Sequence, residues 1–147
     1  MTRNIFVIKR DGRKEPLDIE KLHKVVFWAT QGITGVSASE VEIKSHIQFY
    51  NGIKTSDIQE TLIKAAAELI TEDTPNYQYV AGRLINYQIR KEVYNQYNPI
   101  PLYEHIQKVC GKGYYTKELL TWYTKEEWEK IDSFIDHERD IDLTYVA

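Results

Sequence analysis

A chain of 147 residues with 42% hydrophobic content is long enough for one domain with a true core plus a smaller appendage, and too ordinary in composition to be disordered. A net charge of −3 and an isoelectric point near 5.8 argue against a broad nucleic-acid surface, so any local basic cluster points to a small anionic ligand. One cysteine, Cys110, excludes an internal disulfide and a zinc ribbon; no apolar run approaches membrane-spanning length and no secretory h-region opens the chain, so a cytoplasmic protein is expected.

The first element is a basic hairpin. Ile5-Phe6-Val7-Ile8 is an apolar run, Asp11-Gly12 predicts a two-residue type I′ turn, and the return segment ends at Leu17. Asp18 then serves as N-cap of a helix with Ile19, Leu22, Val25, Val26 and Ala29 on one face, stopped by Gly32. Lys9, Arg10, Arg13, Lys14 and Lys21 cluster around that helix entry, where the free N–H groups and the positive end of the helix dipole also favour anions. This is a place to hold a polyphosphate. The alternative is a solvated, charged rim.

Three further helices follow. Ser37 or Ser39, each three residues before a glutamate (Glu40, Glu42), predicts a capping-box start for the second, with Ile43, Ile47 and Tyr50 inward and Asn51-Gly52 as its end. The third opens at Thr55-Ser56-Asp57, with Ser56 and Gln59 at capping-box spacing, and carries Ile58, Leu62, Ile63, Ala65, Ala66, Leu69 and Ile70. Thr74-Pro75 opens the fourth, in which Tyr77, Val80, Ala81, Leu84 and Tyr87 or Gln88 repeat at helical spacing as far as Tyr94.

After Asn98-Pro99-Ile100-Pro101 the character changes, and a boundary between residues 1–97 and 98–147 is expected there. Leu102 to Val109 predicts a helix broken by Gly111 and Gly113, and Lys117 to Tyr123 and Thr124 to Phe134 predict two more, the latter with a Thr124-to-Glu127 capping box. Ile141, Leu143 and Tyr145 alternate, which predicts one C-terminal strand; with no partner in this chain, its sheet is expected to be completed by strands of a longer protein. The expected fold is mainly α (α+β): a hairpin capping four helices, a small helical connector and a final strand.

Val7-x-Lys9-Arg10-Asp11-Gly12, Glu15, Asp18-x-x-Lys21, Thr55-x-Asp57-Ile58, Tyr77-x-Tyr79-Val80-Ala81-x-Arg83-Leu84 and Arg90-Lys91 occur in an order that resembles the ATP-cone domain at the N-terminus of the large subunit of class I ribonucleotide reductase. Gln48-Phe49-Tyr50, Lys64-Ala65-Ala66-Ala67, Tyr94-x-Gln96-Tyr97 and His137-Glu138-Arg139-Asp140 extend the likeness to the aerobic bacterial and phage enzymes over essentially the whole chain.

The resemblance, carried by the order and spacing of these segments, implies a regulatory domain that binds ATP as activator and, in many members, dATP as inhibitor. Its nucleotide-binding set would be Val7, Lys9 and Arg10 from the hairpin, then the wall Glu15-Pro16-Leu17-Asp18-Ile19-Glu20-Lys21-Leu22 under base and ribose, then Thr55, Asp57, Gln59 and Lys91. Lys9, Arg10, Lys21 and Lys91 suit phosphate oxygens, Thr55 offers a hydroxyl, and Glu15 can accept from the adenine amino group. The structural alternatives are a cap-only role for Thr55 and Asp57 and a helix-terminus role for Arg90 and Lys91. Gln59 stands where many dATP-sensitive members carry histidine, keeping hydrogen-bonding capacity without the imidazole.

The expected effectors are ATP or dATP with Mg2+, without a protein-ligated metal in this chain. The implied partners are the small, radical-generating subunit and other large subunits. The parent would be an oxidoreductase of deoxyribonucleotide synthesis, whose chemistry needs a thiyl radical and a redox-active cysteine pair; with Cys110 alone, this region is expected to regulate rather than react. Two other classes stay open. A transcriptional regulator could use the same cone, although those carry a four-cysteine ribbon, and a helical interaction module could use the basic hairpin to meet an acidic partner.

Overall fold

The computed structural model describes residues 4–146. It is mainly helical with a small three-stranded sheet, and it divides into two compact units. The first runs to Gln88 and takes in the segment from Asp140; the second is Ile89–Arg139.

In the first unit, β1 (Phe6–Ile8) pairs antiparallel with β2 (Lys14–Pro16), with Val7 opposite Glu15. The connection differs from the expected two-residue turn. Lys9 N–H donates to Arg13 O at 2.9 Å and Gly12 N–H to Lys9 O at 2.9 Å, so the loop has three residues, Arg10, Asp11 and Gly12. Only Gly12 takes a positive φ, 85°, whereas a type I′ turn needs two such residues. Asp11 instead folds its carboxylate back onto the Arg13 N–H at 3.1 Å without taking a positive φ.

Helix α1 (Ile19–Thr30) begins where Asp18 predicts, the Asp18 carboxylate accepting from the Lys21 N–H at 3.0 Å. Leu22, Val26 and Ala29 are buried, while Ile19 is half-exposed. Helix α2 (Ala38–His46) stops short of the expected end at Asn51-Gly52, and the burial differs from the expected pattern: Ile43 and, beyond the helix, Ile47 and Tyr50 are exposed, while Val41, Ser45 and, after the helix, Phe49 are buried. The phase is set by polar anchors that hydrophobic periodicity does not register. Tyr77 donates its hydroxyl to Glu40 at 2.7 Å and accepts the Ser37 N–H at 3.0 Å, and His23 meets Glu42 at 2.6 Å. Glu40 and Glu42 are thereby committed to tertiary contacts rather than to a capping box. Burial and the Glu40 bond together push the Tyr77 phenol above its ordinary pKa.

A third strand, β3 (Ile53–Lys54), lies parallel to β1 and completes the sheet order β2-β1-β3. Two residues carry too little alternation to be read from sequence; Asn51 supplies the missing signal by accepting the Phe6 N–H through its side chain at 2.9 Å. Helix α3 (Thr55–Glu68) buries Ile58, Leu62, Ala65 and Ala66. Helix α4 (Tyr77–Tyr94) buries Tyr77, Val80, Ala81 and Leu84 against them in one continuous core.

The expected C-terminal strand is not formed. His137–Asp142 is a 3-10 helix, after which Tyr145 N–H donates to Gln78 O on α4 at 3.0 Å. Strand periodicity over so few residues requires a partner edge, and here a helix carbonyl takes the backbone donor instead. Gly82 makes the approach feasible, since a Cβ built there would lie 2.3 Å from Leu143 O.

The second unit packs α5 (Leu102–Gly111) on α7 (Lys125–Asp132), with α6 (Leu119–Trp122) between them in sequence. Ile106, Cys110 and Trp128 form its core. Thr124 and Glu127 complete the expected capping box, with reciprocal bonds of 3.2 and 2.8 Å. Buried Arg90 donates to His137 O at 2.7 Å and stacks over the Tyr97 ring at 4.8 Å.

Candidate functional site

A cavity of about 200 Å3 opens in the first unit between the hairpin, the N-terminus of α1 and the N-terminus of α3. The chain geometry explains the convergence. Strand β2 runs into α1 through Leu17 and Asp18, while β3 beside β1 runs into α3 at Lys54 and Thr55, so two helix starts are delivered to one rim. Asp18 caps the first. The second has Lys54 at its N-cap with no side-chain cap, leaving first-turn N–H groups and the positive dipole end to other acceptors.

Val7, Lys9, Glu15, Pro16, Leu17, Asp18, Lys21, Leu22, Thr55 and Gln59, all singled out from the sequence, line this cavity. Arg10, Ile19, Glu20, Asp57 and Lys91 do not. Arg10 stands in the hairpin loop, and Ile19 and Glu20 are on the exposed side of α1. Asp57 is in the first turn of α3, where its carbonyl accepts from Thr61 Oγ1 at 2.7 Å. Lys91 is on α4 one helical turn after Tyr87, in the stretch that belongs to the second unit.

Four lining residues escaped the sequence reading as site residues: Val25, Ile58, Leu62 and Tyr87. Each has the helical spacing of a core residue, and three are aliphatic, so periodicity alone cannot distinguish a cavity floor from the core beneath it. Tyr87 carried a signal in its hydroxyl, which an aromatic meant purely for packing does not need. Its ring lies 6.1 Å from that of Trp28. Burial pushes the Tyr87 phenol above its ordinary pKa, opposed by the nearby positive charge of Lys9.

The cavity is apolar at its floor and charged at its mouth. Lys9 Nζ lies 3.3 Å from one Glu15 oxygen, and Arg13 lies 3.5 Å from the other. Arg13 is itself held by Asp11 at 2.5 Å, and the Arg13 backbone N–H together with its guanidinium keeps the exposed Asp11 carboxyl below its usual range. On the opposite wall, Gln59 Nε2 donates to Leu84 O at 3.4 Å, tying α3 to α4. An aliphatic floor suits a planar apolar group, and lysines beside helix N-termini suit an attached anion.

Two other depressions lack this character. One, in the second unit, is lined by Glu129 and Asp132, and one beside Tyr50 and Asn51 has no charged side chain. Among the described residues, no group of three or more His, Cys, Asp or Glu could hold a metal ion, and no helix is long and apolar enough to cross a membrane.

The amino-acid sequence is similar to known proteins over its whole length. The chain is 51% identical over 147 residues to ribonucleoside-diphosphate reductase 1 subunit alpha of Escherichia coli and 49% identical over 147 residues to the subunit alpha of Haemophilus influenzae. In both cases the match covers 100% of this chain and 19% of the relative. The subunit alpha of Enterobacteria phage T4 is 43% identical over 143 residues, covering 96% of this chain and 19% of its own length. The chain thus spans about a fifth of the length of these relatives. The ATP cone domain family matches residues 5–92, which include the hairpin, both helix starts at the cavity and nearly all of α4. With the pattern and its cavity coinciding over that stretch, the chain belongs to the ATP-cone family.

Proposed function

We propose that this chain is the allosteric overall-activity region of a ribonucleoside-diphosphate reductase large subunit, taking ATP as activator and dATP as inhibitor in the cavity between the hairpin, α1 and α3. The observation that carries the reading is the pairing of Lys9 and Lys21 with an uncapped helix start over an aliphatic floor. The lysines and the α3 N–H groups receive the phosphates, Thr55 adds a hydroxyl donor, and the floor receives the base. Magnesium arrives on the triphosphate, coordinated by phosphate and water, as that ion prefers. Residues 1–97, the hairpin and its four helices, form the sensor, and residues 98–147 connect it to a catalytic domain. Reduction itself belongs to that domain, since a single cysteine cannot provide both a radical thiol and a redox pair.

Isothermal titration of the chain with ATP and with dATP, in the presence of magnesium, tests the reading. Both nucleotides are expected to give saturable binding. No saturable binding of either would abandon the sensor in favour of a helical interaction module.

Control of a distant reaction further requires a surface whose contacts differ between states. We assign this role to the outer surface made by Ile43 on α2 and by Ile47 and Tyr50 just after it, which are 64%, 80% and 58% exposed. Apolar side chains grouped at the surface are a feature of protein contacts. In the full-length reductase with its small subunit, Ile47→Asp is expected to reduce dATP-induced growth in particle size by at least tenfold in effective dATP concentration, with nucleotide binding by the cone retained. Unchanged assembly, followed by sedimentation, would locate the contact elsewhere.

A further inference from the structure

The nucleotide cavity contains its own competitor. Glu15 and Lys9 both line it, and their side chains are paired at 3.3 Å across the end of the hairpin. The second Glu15 oxygen faces Arg13 at 3.5 Å. Without a ligand, the carboxylate therefore has a cation at each oxygen, and Lys9 has a carboxylate where a phosphate would bind. Neither side chain is deeply buried, so their exchange to new partners requires no repacking of the core.

Resting on the adenine-nucleotide reading above, we propose that the Lys9–Glu15 pair is a latch that makes base recognition depend on phosphate binding. A phosphate drawn to Lys9 withdraws the ammonium from Glu15. The vacated carboxylate oxygen then accepts the exocyclic amino group of adenine, which a guanine carbonyl at the same position cannot donate. Arg13 keeps hold of the other oxygen and so orients the carboxylate throughout. Base and phosphate contacts become coupled: each is worth more when the other is made. A nucleoside, lacking phosphate, must break the pair itself and recovers only one hydrogen bond in exchange. The latch selects adenine nucleotides over both adenosine and inorganic polyphosphate, although each fragment has a complementary part of the site.

The two ends of the ligand give opposite responses to one substitution. In Lys9→Met the stem remains and the charge goes, so Glu15 is released while a phosphate partner is lost. The main-chain bond from Lys9 N–H to Arg13 O, 2.9 Å, does not involve the side chain, and the hairpin is retained. Adenosine is neutral, so a simple change in the site's net charge leaves its affinity alone, whereas opening the latch improves it. Adenosine is expected to bind Lys9→Met about two- to fivefold more tightly than the unmodified chain, in keeping with the modest strength of a partly exposed ion pair. ATP is expected to bind the same variant about tenfold more weakly, the loss of one charge-assisted contact.

Titration of ATP and adenosine into the unmodified chain and into Lys9→Met, followed by amide chemical shifts so that weak binding is measured, decides the matter; Lys9→Ala serves as a second variant. Tighter adenosine binding together with weaker ATP binding supports the latch. Adenosine affinity that is unchanged, reduced, or unmeasurable in both forms overturns it, even where ATP binds the unmodified chain well. Failure of ATP itself to bind the unmodified chain overturns the sensor reading and the latch with it.

Discussion

Removal of both cavity lysines, Lys9→Ala with Lys21→Ala, is expected to weaken ATP binding by about a hundredfold, as measured by isothermal titration. Each lysine is placed to make a charge-assisted hydrogen bond, for which a loss of about tenfold is at the modest end of the usual range. The two stand on different elements, Lys9 at the end of β1 and Lys21 in the first turn of α1, so their losses should nearly add. Folding is expected to be unaffected. Lys9 makes only a partly exposed pair with Glu15, and Lys21 contributes its backbone, not its side chain, to the Asp18 cap. The binding constant should also fall with added salt in the unmodified chain and much less steeply in the double variant, because exposed charge interactions are screened. A loss below about threefold in the double variant would show that the anion is held principally elsewhere.

What could be read in the sequence follows from how local the determining interaction is. The starts of α1 and α7 were legible because Asp18 and Thr124 act on N–H groups three residues away. The basic hairpin and its delivery into α1 were legible for the same reason. The buried face of α2 was not, because Ser37 and Glu40 are held by Tyr77 of α4, 40 and 37 residues along the chain. The short strand β3 depends on pairing with β1 more than 40 residues earlier, and Asn51, read as a helix stop, is its anchor. In the cavity, the charged lining residues were among those singled out from the sequence, while Tyr87 and half of the aliphatic lining, Val25, Ile58 and Leu62, were not. Lysine and glutamate at a hairpin need an explanation, whereas Ile58 and Leu62 on an amphipathic helix have a sufficient one already.

The second large effect is expected at Gly82, where Gly82→Ala should detach the segment after Asp140 from α4. The methyl group would meet Leu143 O at 2.3 Å and the Thr144 carbonyl carbon at 2.9 Å, and both are backbone atoms that no rotamer change can move aside. Alanine is also the better helix former by about 1 kcal/mol, while insertion into a filled space costs about 1–3 kcal/mol, so the two contributions offset and global stability is a poor readout. The local readout is sharp. Tyr145 N–H donates to Gln78 O at 3.0 Å in the native arrangement, and its hydrogen-exchange protection should fall at least tenfold in the variant. Protection in α3 should hold, since the atoms a Cβ at Gly82 would meet belong to Leu143 and Thr144 and none to α3. ATP affinity should hold as well, because Gly82 is absent from the cavity lining while Tyr87, farther along the same helix, is present. α4 thus carries a cavity wall and the seat of the following segment on one rigid element, and the variant separates them. Native protection at Tyr145 in Gly82→Ala would mean that the segment is seated by its side chains and yields a few tenths of an ångström without releasing.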